Sequence, residues 1–269
     1  MKQPSLYIPH GGGPCFFTDP ADPDRPFSDP MWQSMQDYLA QLIERLPERP
    51  RAMLIISAHW EEPVFTVHRG ESPELLFDYY NFPPHTYKLS WNAAGAPELA
   101  DRVTGLLREG GFPVAEERER GWDHGVFIPM KVARPQADIP VVQLSLRHDL
   151  DPAAHIAAGR ALEPLRDEGV LIVGSGMSFH NMRVQDSQAR TPSLLWHAAL
   201  TDAVTDEDSE QRAARVAAWD QLPEARFAHP REEHLLPLMV AVGAGGGDAA
   251  RVDYDDAVRG WPVAAYRFG

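Results

Sequence analysis

Cysteine is almost absent from this 269-residue chain. Cys15 stands alone, so no intrachain disulfide can form, which suits a reducing compartment. Basic charge is scarce as well: 25 Lys and Arg against 39 Asp and Glu give a formal net charge of −14. Nucleic acid needs a basic face and an anionic membrane surface attracts one, so neither is expected as a partner. No apolar run approaches the roughly 18 residues of a membrane-spanning helix. The opening residues MKQPSLYIPHGGG lack the apolar core of a secretion signal, so a cytoplasmic location is expected. No Pro/Gly/Ser linker divides the chain and no internal repeat appears, which predicts one domain over residues 1–269. The short motifs that announce a zinc protease, a dithiol site or a dinucleotide fold (HExxH, CxxC, GxGxxG) are missing too.

What the chain does have is a recurring arrangement. In SLYIPHGGGP an apolar run, Leu6–Ile8, ends at His10, and Gly11, Gly12 and Gly13 follow. RAMLIISAH ends likewise at His59, and VLIVGSGMSFH at His180. Short apolar runs of this kind predict strands buried on both faces. A histidine past the carboxyl end of such a strand sits where open α/β sheets bind ligands. Between the runs, Met31–Leu46 has apolar residues at helical spacing, with Ser28 or Asp29 as N-cap and a stop at Pro47. Helices are also predicted over Pro97–Arg108, Pro152–Glu168, Ser193–Asp220 (broken near 205–208) and Pro230–Val242. Further strands are predicted at Ala52–Ser57, Val64–His68, Phe112–Glu116, Ile139–Leu146, Val170–Gly174 and Val263–Phe268. Alternating strands and helices predict an α/β fold: a single three-layer domain with a largely parallel central sheet and the site at the carboxyl ends of its strands.

Imidazole is the side chain most often used to hold a metal near neutral pH. Several histidines at strand ends, with a carboxylate, suit Fe(II), Zn(II) or Mn(II), and spacing alone does not choose among them. Glu232-Glu233-His234 puts two carboxylates and a histidine in one turn, able to close a metal shell or to favour a helix N-terminus. His148 follows a predicted strand and opens a turn. Cys15, five residues after His10, is a thiolate candidate, though a free cysteine beside Phe16 and Phe17 is more often a small apolar side chain. Residues 71–84 carry LLFDYYNFPP; Phe77, Tyr79, Tyr80 and Phe82 could wall a flat ligand.

PHGGGPCFF, ISAHW, the DHG of WDHGVFIPM, VVQLSL, SGMSFHN and EEHLLPL resemble, in this order, the class III extradiol ring-cleaving dioxygenases. The nearest branch is the DOPA-4,5-dioxygenase-like proteins. The resemblance runs from about residue 5 to 240 and implies one α/β domain that binds a single non-haem metal. It makes His10, His59, His180 and His234 the residues at that metal, with Glu233 as the alternative carboxylate ligand. His124 and His180 take the acid and base roles. Fe(II) is the cofactor expected for activity, and Zn(II) is the other metal such a shell accepts. The implied partners are a catechol-type aromatic diol and O2. Many members of the branch have HGSP where this chain has HGGGP, so the substrate is not carried over with the family. A zinc hydrolase with the same ligands and a noncatalytic metal-binding protein are the competing readings.

Overall fold

The structure, a computed structural model, describes residues 1–19, 30–184 and 189–269. The strands are β1 (Ser5–Pro9), β2 (Ala52–Glu62), β3 (Phe65–His68), β4 (Val114–Glu117), β5 (Val141–Arg147), β6 (Val170–Gly176), β7 (Ala250–Val258) and β8 (Trp261–Phe268). They form one eight-stranded sheet in the order β4-β3-β5-β2-β6-β1-β8-β7. The centre is parallel: β2 pairs with both β5 and β6, and β6 pairs with β1. The β7–β8 hairpin adds two antiparallel strands beside β1.

Strand alternation explains the three layers. Leu6, Ile8, Met53, Ile55, Leu171 and Val173 point to one apolar layer, while Tyr7, Leu54, Ile56, Val170 and Ile172 point to the other. Helices α1 (Gln33–Ala40) and α3 (His124–Ala133) cover the first face. The opposite face carries α2 (Pro97–Glu109), α4 (Pro152–Leu162), α6 (Arg190–Val204), α7 (Ser209–Ala217) and α9 (Leu236–Gly245); α5 (Pro164–Asp167) and α8 (Ala225–Ala228) are single turns.

Several boundaries differ from the sequence expectation. The helix expected over Met31–Leu46 is α-helical only from Gln33 to Ala40, preceded by a 3-10 turn at Pro30–Trp32 and followed by turns. Ser28 and Asp29, its expected caps, lie outside the described residues. The expected helix Pro152–Glu168 breaks at Glu163, where Pro164 cannot donate to the preceding turn. β2 runs on to Glu62, so His59 lies within the strand rather than beyond it. Its pairing with β5 is interrupted between Ile56 and Glu61, which frees the His59 segment from a regular ladder. The helix expected from Pro230 begins at Leu236, so Glu232-Glu233-His234 forms a turn ahead of it. The strand β7 has no apolar run, since Asp253, Asp255 and Asp256 interrupt it, and its pairing with β8 defines it.

That turn lies directly on the sheet. A Cβ at Gly176 would stand 2.1 Å from the His234 carbonyl oxygen, and one at Gly174 would stand 2.3 Å from that of Pro237. The Met177 N–H and the Tyr7 hydroxyl both donate to the His234 carbonyl, at 3.1 and 2.8 Å. The glycines of VLIVGSG therefore let the 234 turn reach the ends of β1 and β6.

Candidate metal centre

Four segments bring histidines to one end of the sheet. His10 follows β1, and its N–H donates to the Gly176 carbonyl at 3.1 Å. His59 comes from the irregular part of β2, His124 is the first residue of α3, and His234 sits in the turn before α9. The rings of His10, His59 and His234 form a near-equilateral triangle, with centroids 4.9, 5.2 and 4.9 Å apart. One ligand nitrogen from each can be chosen so that all three lie within 4.8 Å of one another.

The hydrogen bonds orient the lone pairs. Ser175 Oγ donates to the Gly125 carbonyl and lies 3.2 Å from His10 Nδ1, so Nδ1–H donates to the serine. His234 Nδ1–H donates to Glu233 Oε1 at 2.9 Å. In both rings Nε2 is left as the unprotonated nitrogen. His10 Nε2 and His59 Nε2 face each other at 3.1 Å. Burial pushes all three groups down, with neighbouring histidines adding to it. His10 and His234 fall well below the usual range, and His59 falls to about 3 with Asp78 pulling the other way. Three neutral imidazoles, with the Nε2 lone pairs of His10 and His234 left free, fit a divalent cation such as iron or zinc.

His180 and Glu233 lie to one side. The His180 ring stacks on that of His234 with centroids 3.4 Å apart, and its Nδ1 is 3.5 Å from Glu233 Oε1. Burial raises the Glu233 carboxyl, yet His180, backbone donors and Arg231 outweigh it and hold the group below its usual range. Arg231 in turn makes a two-point pair with Glu61 at 2.6 Å. His180, Glu233 and His234 also form a group that could hold a cation. Glu233 stands behind His234, bonded to its outer nitrogen, whereas His234 joins the triangle with its inner one.

His124 closes the opposite side, its ring centroid 3.8 Å from that of His59 and 5.5 Å from that of His10. Asp123, just before it, is 0% exposed. The Asp123 carboxylate accepts from Ser57 Oγ at 2.7 Å, Arg120 Nη2 at 3.2 Å and Gln143 Nε2 at 2.5 Å. Those donors come from β2, the 120 turn and β5, so one buried carboxylate ties β2, which carries His59, to the segments beside it.

The histidines open into a cleft of about 640 Å³. Tyr79, Tyr80 and Phe82 line it as the sequence suggested, while Phe77 instead packs behind Tyr79 at 6.0 Å. Trp32, Phe179 and Trp261 complete an apolar wall that carried no sequence signal beyond single aromatic residues. Two other expected residues play no part in the cluster. His148 is exposed and bonds the Glu61 carbonyl. Burial pushes the Cys15 thiol up to about 12, which makes it a buried small side chain and no thiolate. Asp78 is a residue that sequence reasoning missed: it bonds His124 and reaches within 3.9 Å of His59 Nδ1. Its only signal was a charge inside an aromatic run.

Comparison with known proteins adds independent observations. Residues 6–269 match the family described as the catalytic LigB subunit of aromatic ring-opening dioxygenase. The chain is 37% identical to the dioxygenase tasH of Hapsidospora irregularis, over 99% of this chain and 85% of that one. It is 40% identical to a 4,5-DOPA dioxygenase extradiol of Portulaca grandiflora, over 74% of each chain. It is 30% identical to a 4,5-DOPA dioxygenase extradiol of Escherichia coli K12, over 91% and 86%. The crystal structure of the uncharacterized protein JW3007 from Escherichia coli K12 superposes over 100% of both chains, with a TM-score of 0.75 and 27% identity.

Proposed function

The chain belongs to the LigB family of aromatic ring-opening dioxygenases, and we propose that it is itself an Fe(II)-dependent extradiol dioxygenase. On this reading residues 1–269 are one catalytic domain that opens a catechol-type ring with O2 to a muconic semialdehyde-type product. The observation that carries the reading is the triangle of neutral imidazoles at the floor of an aromatic cleft. Fe(II) held there would supply Lewis acidity toward the catechol oxygens and a path for electrons between ring and O2.

His10, His59 and His234 are the metal-holding residues, with His180 close enough to join them. Glu233 supports His234 and His180 through their Nδ1 atoms, as outer-shell carboxylates do for ligating histidines. His124 lines the cleft with Nδ1 committed to Asp78, so Nε2 is the nitrogen able to take a proton from a catechol hydroxyl. His180, on the other flank, is placed to return a proton as the ring opens. Tyr79 and Phe82 line the cleft where a flat substrate would sit, and the apolar wall displaces water around it.

The test is direct. Fe(II)-loaded protein is mixed with a panel of catechols and the spectrum is followed for the yellow ring-opened product. Product is expected with the wild type and not with His10→Ala. A protein that binds Fe(II) and yields no product with any catechol would overturn the reading.

A further inference from the structure

We propose that Asp78 is a positioning residue that fixes the tautomer of His124 and so presents its Nε2 lone pair to the cleft. The proposal rests on the functional reading above, in which His124 takes a substrate proton. A carboxylate accepts hydrogen bonds and cannot donate them when ionised, so the 2.8 Å contact between Asp78 Oδ1 and His124 Nδ1 requires the proton on Nδ1. The same oxygen accepts the His124 backbone N–H at 2.9 Å. One atom therefore fixes both the main chain and the ring of the first residue of α3, where the free N–H groups and the helix dipole favour a negative charge. The Asp78 side chain is only 19% exposed, so this charge is partly shielded from water.

The fold holds Asp78 in that position from both sides. Leu75 pairs with Trp122; the Leu76 N–H donates to the Trp122 carbonyl at 2.8 Å, and the Trp122 N–H to the Glu74 carbonyl at 2.9 Å. A Cβ at Gly121 would meet the Glu74 carbonyl at 2.7 Å, so this approach of the two segments needs the glycine. Just beyond Asp78, the Tyr79 hydroxyl donates to the Thr86 carbonyl at 2.6 Å, and its ring packs on Phe82, Tyr87 and Phe127. The segment that walls the cleft is thus the one that orients His124.

Two readouts test this. Zinc-loaded, 15N-histidine-labelled protein reports the His124 tautomer by long-range 1H–15N spectra. Fe(II)-loaded protein reports kcat and KM with a catechol. The wild type is expected to carry the His124 proton on Nδ1. In Asp78→Ala the acceptor at Nδ1 is gone, the proton shifts toward Nε2 and kcat falls about 100-fold, the range of a lost acid–base contribution, while KM changes by less than about threefold. Asp78→Glu restores part of kcat. Thermal melts of both variants identify any loss that reflects unfolding. An unchanged tautomer in Asp78→Ala, or a shifted tautomer with wild-type kcat, overturns the proposal. If the wild type turns over no catechol, the functional reading falls by itself, and the tautomer comparison still decides whether Asp78 sets the state of His124.

Discussion

His10 Nε2 and His59 Nε2 stand 3.1 Å apart, each on a ring that burial keeps neutral. Two lone pairs at that distance repel unless a proton or a cation lies between them. A divalent metal relieves this, so His10→Ala or His59→Ala should weaken metal binding by more than about 100-fold, beyond the cost of losing an outer-shell partner. Competition against a chelator of known affinity, with metal content measured on the recovered protein, gives the number.

Glu233 and His234 are neighbours with different expected roles. Glu233 bonds the outer nitrogen of His234 and pairs with Arg231, so Glu233→Gln should keep the metal but bind it about 10- to 100-fold more weakly. His234→Ala should lose the metal altogether. Equal losses in both variants would make Glu233 a ligand in its own right.

The glycines after His10 separate into two classes. Gly11 has φ +80°, and a Cβ there would stand 2.4 Å from Cys15 Sγ. Gly11→Ala should therefore destabilise the protein by about 1–3 kcal/mol, from backbone strain and overpacking. A Cβ at Gly12 meets only Trp32, at 3.5 Å, and the residue lines the cleft. Gly12→Val should lower turnover more than it lowers Tm. Melting curves and kcat measured on the same preparations separate the two effects.

Acid should unfold the metal-free protein early. His59 titrates at about 3 in the folded chain and near 6.5 once unfolded, so the unfolded state binds the extra proton between those values. Stability then rises with pH across this window and is lost as pH falls through it, at about 1.4 kcal/mol per pH unit for each such histidine. His10 and His234 are lowered in the same direction for the same reason, burial, and add to the slope. Urea unfolding of metal-free protein at pH 7, 6 and 5 measures it, and His59→Gln should flatten the dependence.

The sheet and most of the cluster were legible in the sequence because they depend on local signals. Buried parallel strands are continuous apolar runs; His10 follows one directly and His180 comes four residues after another. β7 was not legible, since its Asp-rich sequence is a strand only through pairing with β8. The start of α9 was misplaced because residues 230–235 have good helix-start composition, while the contacts of the His234 carbonyl with Tyr7 and Met177 hold them as a turn. Asp78 and Asp123 owe their roles to partners far away in sequence: Asp78 lies 46 residues from His124, and Asp123 lies 66 from Ser57. Such pairings leave no periodic trace.

Oxygen stoichiometry tests the central claim most directly. Fe(II) is loaded anaerobically, a productive catechol is added, and O2 uptake is followed alongside loss of the catechol. Ring cleavage by a dioxygenase predicts one O2 consumed per catechol, with the ring-opened product formed in the same amount and none of this in His10→Ala, His59→Ala or His234→Ala. Catechol conversion without O2 uptake, or at undiminished rate in those three variants, would contradict the account.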